Sequence, residues 1–79
     1  MAPMSELVIE YCVVCNYYPR AVNLAESLEK RCGIGAKLVK SQGGAFEVSW
    51  GNGLLFSKKK LGRFPVPGEV EEVLARLLG

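Results

Sequence analysis

The stretch Leu7-Val8-Ile9-Glu10-Tyr11-Cys12-Val13-Val14-Cys15-Asn16-Tyr17-Tyr18-Pro19-Arg20-Ala21 decides the fold. Its first part alternates. Leu7, Ile9 and Tyr11 take one face and Val8 and Glu10 the other, which predicts a strand over Leu7–Tyr11 with Cys12 at its end. Pro19 suits the first position of a helix, where its missing N–H costs nothing. Beyond it Ala21, Leu24, Ala25, Leu28 and Cys32 fall at helical spacing as one apolar stripe, and Gly33 supplies a stop. A helix over Pro19–Cys32 follows.

Working outward, Ala36–Lys40 reads as a short second strand. A helix between two strands implies that they pair in parallel. Ser41-Gln42-Gly43-Gly44 reads as a loop. Ala45–Trp50 alternates, with Phe46, Val48 and Trp50 on one face and Glu47 and Ser49 on the other. Gly51-Asn52-Gly53 predicts a tight hairpin turn, since Asn and Gly tolerate positive φ. Leu54–Ser57 is the returning strand, and Lys58-Lys59-Lys60 marks its exit. Gly62–Gly68 is a proline-containing connector. Glu69–Leu78 is a second helix, with Val70, Val73, Leu74 and Leu77 as its stripe and Glu69, Glu71 and Glu72 at its positive end. The order is β-α-β-β-α: an α/β fold with a four-stranded mixed sheet and two helices, the thioredoxin-like core at its smallest. Both helices should cover one sheet face, and the barer opposite face suggests a weak homodimer.

At 79 residues the chain is expected to be one domain, 1–79. Hydrophobic residues make up 49% of it, enough for a packed globule. A net charge of +2 points to neither nucleic acid nor a membrane surface. Met1–Glu6 lacks the charged-then-apolar pattern of a secretory signal, and no stretch approaches the roughly 18 apolar residues of a membrane span. Three cysteines are an odd, sparse set that fits a reducing, cytoplasmic setting better than a secreted one. The absence of histidine removes Ser-His and Cys-His catalysis and most zinc sites.

Chemistry then falls to Cys12 and Cys15. C-x-x-C beside a strand–helix pattern in a cytosolic-looking chain reads as a thioredoxin-like redox pair. The turn brings the sulfurs together, the nearby helix start offers free N–H groups, and Arg20 adds a positive charge that supports the thiolate. The helix start at Pro19 nevertheless leaves the pair on a loop, which weakens the dipole contribution. Cys32 belongs to the apolar stripe and reads as a core cysteine, with an auxiliary thiol as the alternative. Trp50, Phe46 and Phe56 read as core, and Tyr17 and Tyr18 flank the pair. Lys58, Lys59, Lys60 and Arg63 read as a solvated loop rather than a nucleic-acid site. The glycines form turns, not a phosphate cradle.

Val8-Ile9-Glu10-Tyr11-Cys12-Val13-Val14-Cys15, Tyr17-Tyr18-Pro19-Arg20-Ala21, Gly44-Ala45-Phe46-Glu47-Val48 and Phe56-Ser57-Lys58-Lys59 with Gly62-Arg63-Phe64-Pro65 together resemble the selenoprotein W, T and H (Rdx) family. The resemblance spans nearly the whole chain. It implies a thioredoxin-like fold without the extra helix between strands 2 and 3. It also implies thiol oxidoreductase activity linked to glutathione as co-substrate; from the residues themselves no resident cofactor or metal is expected. Cys15 stands at the family's selenocysteine position, as in a cysteine-containing bacterial-type homologue. That implies Cys15 as nucleophile and Cys12 as its resolving partner. Two readings stay open: a small thiol–disulfide oxidoreductase acting on thiol or disulfide partners, and a non-enzymatic interaction module switched by its disulfide.

Overall fold

The computed structural model describes residues 6–79; Met1–Ser5, most of the segment read above for a secretory pattern, lies outside the described residues. The central strand β1 (Leu7–Cys12) takes in Cys12 itself. Leu7, Ile9 and Tyr11 are buried on one face, while Glu10 on the other is exposed, as the alternation predicts. β1 pairs in parallel with β2 (Ala36–Ser41), Leu7 opposite Ala36 and Cys12 opposite Ser41. On its other edge it pairs antiparallel with β3 (Phe46–Trp50), Ile9 opposite Val48. β3 turns back into β4 (Gly53–Ser57), giving the order β2-β1-β3-β4.

In the hairpin Trp50 faces Gly53. The left-handed position falls on Gly51, at φ 60, and not on Asn52. The register slips between Val48 and Ser49. Leu55 is the extra residue of this bulge, so Leu54 turns to the open face beside Ser49 while Phe56 returns to the core beside Val48.

Helix α1 (Tyr18–Cys32) begins one residue ahead of the expected Pro19 and ends at Gly33. Gly33, at φ 73, donates its N–H to the Glu29 carbonyl at 2.8 Å. Lys58–Leu61 is not a plain strand exit. It forms a one-turn helix, α2, because Ser57 caps it: the Ser57 hydroxyl accepts the Lys60 N–H at 3.2 Å and donates to Glu47 Oε1 at 2.5 Å. The Glu47 carboxylate also takes the Lys59 N–H at 3.3 Å, so an acid from β3 covers the turn's open N–H groups. The last helix, α3 (Glu69–Leu78), lies where its stripe predicts.

Leu7, Ile9, Tyr11, Phe46, Val48 and Phe56 of the sheet form one cluster with Ala21 and Leu28 of α1 and Val70 and Leu74 of α3. Both long helices therefore cover the same sheet face. Each large side chain buried here contributes roughly 1.5–3 kcal/mol. Cys32 is partly buried against this cluster, its thiol directed at the Glu71 carbonyl at 3.9 Å, which is the place of a core cysteine. Among the described residues no helix is long and apolar enough to cross a membrane.

Candidate functional site

The sheet order fixes what surrounds Cys12. β2 and β3 lie on opposite sides of β1, so the segment joining them has to cross the C-terminal end of β1. That segment, Gln42–Ala45, passes directly over the cysteine pair. Cys12 donates its N–H to the Ala45 carbonyl at 2.9 Å, and Val13 donates to the Ser41 carbonyl at 3.2 Å. Gly43 and Gly44 sit at φ 68 and 74, where a side chain is strained, and this lets the crossing stay tight.

Beyond β1 the chain folds into a turn. Asn16 donates to the Val13 carbonyl at 2.9 Å and Tyr17 to the Cys12 carbonyl at 3.2 Å. Asn16 takes φ 61, a conformation that Asn accepts more readily than most residues. Cys12 is 0% exposed at the base of this turn. Cys15 is exposed at its rim, and both are free thiols. Val14, between them, is 88% exposed.

The two thiols act on each other. The Cys15 thiol beside Cys12 is the largest influence holding the Cys12 thiol below the ordinary range; burial opposes it, and the Gly44, Cys15 and Val14 amides reinforce it. The Cys15 thiol moves the other way. Its hydrogen bond to Cys12, burial and the charge on Cys12 raise it, against the Gly44 amide and the Tyr17 hydroxyl. The pair thus favours a thiolate at Cys12 that accepts a hydrogen bond from the Cys15 thiol, which keeps the remaining proton.

Arg20, expected to support the thiolate, is drawn elsewhere. Its guanidinium stacks on the Phe64 ring at 4.0 Å, and it is not among the groups that shift either thiol. The amides of the turn and the Gly44 crossing take the place expected for Arg20. The flanking aromatics divide. Tyr18 packs on Tyr11 with ring centres 5.5 Å apart. Tyr17 meets Phe64 at 4.8 Å and Phe46 at 6.4 Å, both edge-on. Lys58 lies 5.5 Å from the Tyr17 ring and 5.4 Å from Phe64. Arg63 forms a two-pronged ion pair with Glu69, at 2.8 and 2.9 Å, so the basic run is divided between separate tasks.

Gly44 is the site residue that sequence reasoning missed, having been assigned only to a turn. Its signal was topological: two strands flanking β1 require their connection to cross above Cys12.

The sequence model of the Rdx family matches residues 6–76. No curated protein matches the chain in sequence. Among solved structures, a protein of Bordetella parapertussis aligns at a TM-score of 0.87 and 24% identity, covering 92% of this chain and 96% of its own. A selenoprotein W-related protein from Vibrio cholerae aligns at 0.81 and 22% identity, covering 98% and 100%. The fold is the thioredoxin-like α/β fold expected from the element order, and the chain belongs to the Rdx family.

Proposed function

We propose that this Rdx-family chain carries out thiol–disulfide exchange, with Cys15 as the thiol that meets a partner and Cys12 as the thiol that completes the reaction. The observation that supports this most is the division of the pair: an exposed Cys15 hydrogen-bonded to a buried Cys12 whose thiolate is favoured. A short proton shift from Cys15 to Cys12 produces the attacking thiolate. Its higher pKa makes it the more nucleophilic of the two once deprotonated.

Cys15 Sγ then attacks a partner disulfide. A Cys15–partner S–S bond forms, the partner's own S–S bond breaks, and the leaving thiolate takes a proton from water. Cys12 gives its proton to solvent and, as thiolate, attacks Cys15 Sγ. The Cys12–Cys15 bond forms and the partner's second thiolate leaves and is protonated. The partner gains two electrons from the pair and two protons, one released by the pair and one drawn from solvent. Two equivalents of glutathione, or a dithiol protein, reverse the sequence and restore the dithiol.

Mass spectrometry across a glutathione redox titration tests this. The expected result is a reversible loss of two hydrogens in the peptide carrying Cys12 and Cys15. Cys12→Ser should trap a mixed disulfide on Cys15, whereas Cys15→Ser should react at less than about a tenth of the wild-type rate, since a buried thiol is hard to reach. Absence of the reversible change sinks the proposal.

A second reading draws on Val13 and Val14, 48% and 88% exposed beside Cys15, as an apolar contact whose presentation changes with the disulfide. Equal partner capture under reducing and oxidising conditions removes that switch.

A further inference from the structure

Phe64, which meets Tyr17 edge-on, also lines a cavity of about 380 Å³ between α1, the connector and α3. That volume lies within the usual range for small-molecule sites, about 300–1,000 Å³. One face of α1 supplies much of its wall: Arg20, Asn23, Leu24 and Ser27 follow the i, i+3, i+4, i+7 pattern. Phe46 and Phe64 make it apolar, and Glu71 of α3 contributes an acid.

The two charges of this cavity lack ionic partners. Glu71 is 6% exposed, and Ser27 donates its hydroxyl to Glu71 Oε2. The ion pairs among the described residues are Arg63–Glu69 and Arg76–Glu72, so neither Arg20 nor Glu71 is in one. A cation brought by a ligand would meet at Glu71 a carboxylate whose side-chain partner is a neutral hydroxyl, and a charge-assisted hydrogen bond is stronger than a neutral one. The spacing defines the ligand further. Ser27, which marks the level of Glu71, stands two helical turns beyond Arg20, roughly 10.5 Å along the axis at 1.5 Å per residue. An extended peptide covers about 3.3–3.6 Å per residue, so roughly three residues span that length of the helix wall.

We propose that this cavity binds a short extended peptide of about three residues, its free amino group at Glu71, its carboxylate at Arg20 and its apolar middle between Leu24, Phe64 and Val66. This goes beyond thiol exchange and does not depend on it. The test is a titration of the ¹⁵N-labelled chain with Ala-Leu-Ala, in the wild type and in the Cys12→Ser/Cys15→Ser variant. Saturable shifts at Asn23, Ser27 and Val66, equal in both proteins, are the expected result. N-acetylation of the peptide or Glu71→Gln should each weaken binding by about tenfold or more, the loss expected when a buried charged pair is broken, and C-amidation or Arg20→Ala by about twofold to fivefold, since that end is exposed. Arg20 is exposed, so its variant reads out even where Glu71→Gln fails to fold. No saturation at millimolar peptide, sensitivity to only one blocked end, or binding lost in the double cysteine variant would overturn the assignment.

Discussion

The turn after β1 and the connector before α3 both lead into a helix, and they are held in opposite ways. Residues 13–17 are held by backbone hydrogen bonds, while Cys15 and Val14 stand in solvent. The connector 62–68 is held by charge. Arg63 grips Glu69 with both nitrogens, and Glu69 also accepts the Val66 N–H at 3.0 Å. A turn built on its own amides leaves its side chains free for a partner and its N–H groups free to favour a thiolate. A connector clamped by side chains gives up that freedom and holds the wall of a cavity. The two meet through Phe46, which touches Tyr17 of the turn at 6.4 Å and Phe64 of the connector at 5.3 Å.

Removing that shared support should erase the contrast. Phe46 is 1% exposed, and Phe46→Ala is expected to cost about 3–5 kcal/mol in urea denaturation, a large share of a small domain's stability. Amide exchange should rise in both regions together; protection lost on one side alone would show that they do not share Phe46. Gly44→Ala probes the turn. No heavy atom lies within 4 Å of an added Cβ, but φ 74 strains any L side chain, at roughly 1–2 kcal/mol. Thiolate absorbance should then show Cys12 titrating at higher pH, because the Gly44 amide helps to lower it.

Lowering the pH probes the connector. Glu69 is held down to about 2 from 4.5, first by Arg63 and then by the Val66 amide. A lowered carboxyl contributes stability that is fully present above pH 4.5 and lost as pH falls through about 2. Wild type should therefore lose more stability across that window than Glu69→Gln. The effect ranks third because the Arg63 side chain is 47% exposed and solvent screens the pair. Asn16→Gly should matter least, within about 1 kcal/mol by thermal melting: relief at φ 61 is set against a more flexible unfolded chain.

Much of this architecture was legible from local pattern. The alternation of Leu7, Ile9 and Tyr11 placed the buried face of β1, and Val70 and Leu74 placed the buried side of α3. What escaped depends on residues distant in sequence. Three consecutive lysines give no helical signal, and α2 forms because Glu47 arrives from β3 to meet it. Glu71 read as an acid suited to a helix start, and its burial comes from Ser27 packing across from α1. Arg20 lies close to the cysteines in sequence, yet Phe64, more than forty residues later, takes its guanidinium. The cysteines themselves were conspicuous, but their electrostatic partner, the Gly44 amide, is found only by tracing the strand order.

That strand order also sets a timetable. β1 occupies the centre of the sheet, yet it leaves the ribosome before either strand that flanks it, and its antiparallel partners extend to Trp50. No early hairpin can shelter it, and its hydrogen bonds close only across long loops, which slows folding. During that interval Cys12 and Cys15 emerge together without the Gly44 crossing above them. A newborn chain therefore carries two ordinary thiols, and the asymmetry between them begins only when the sheet closes.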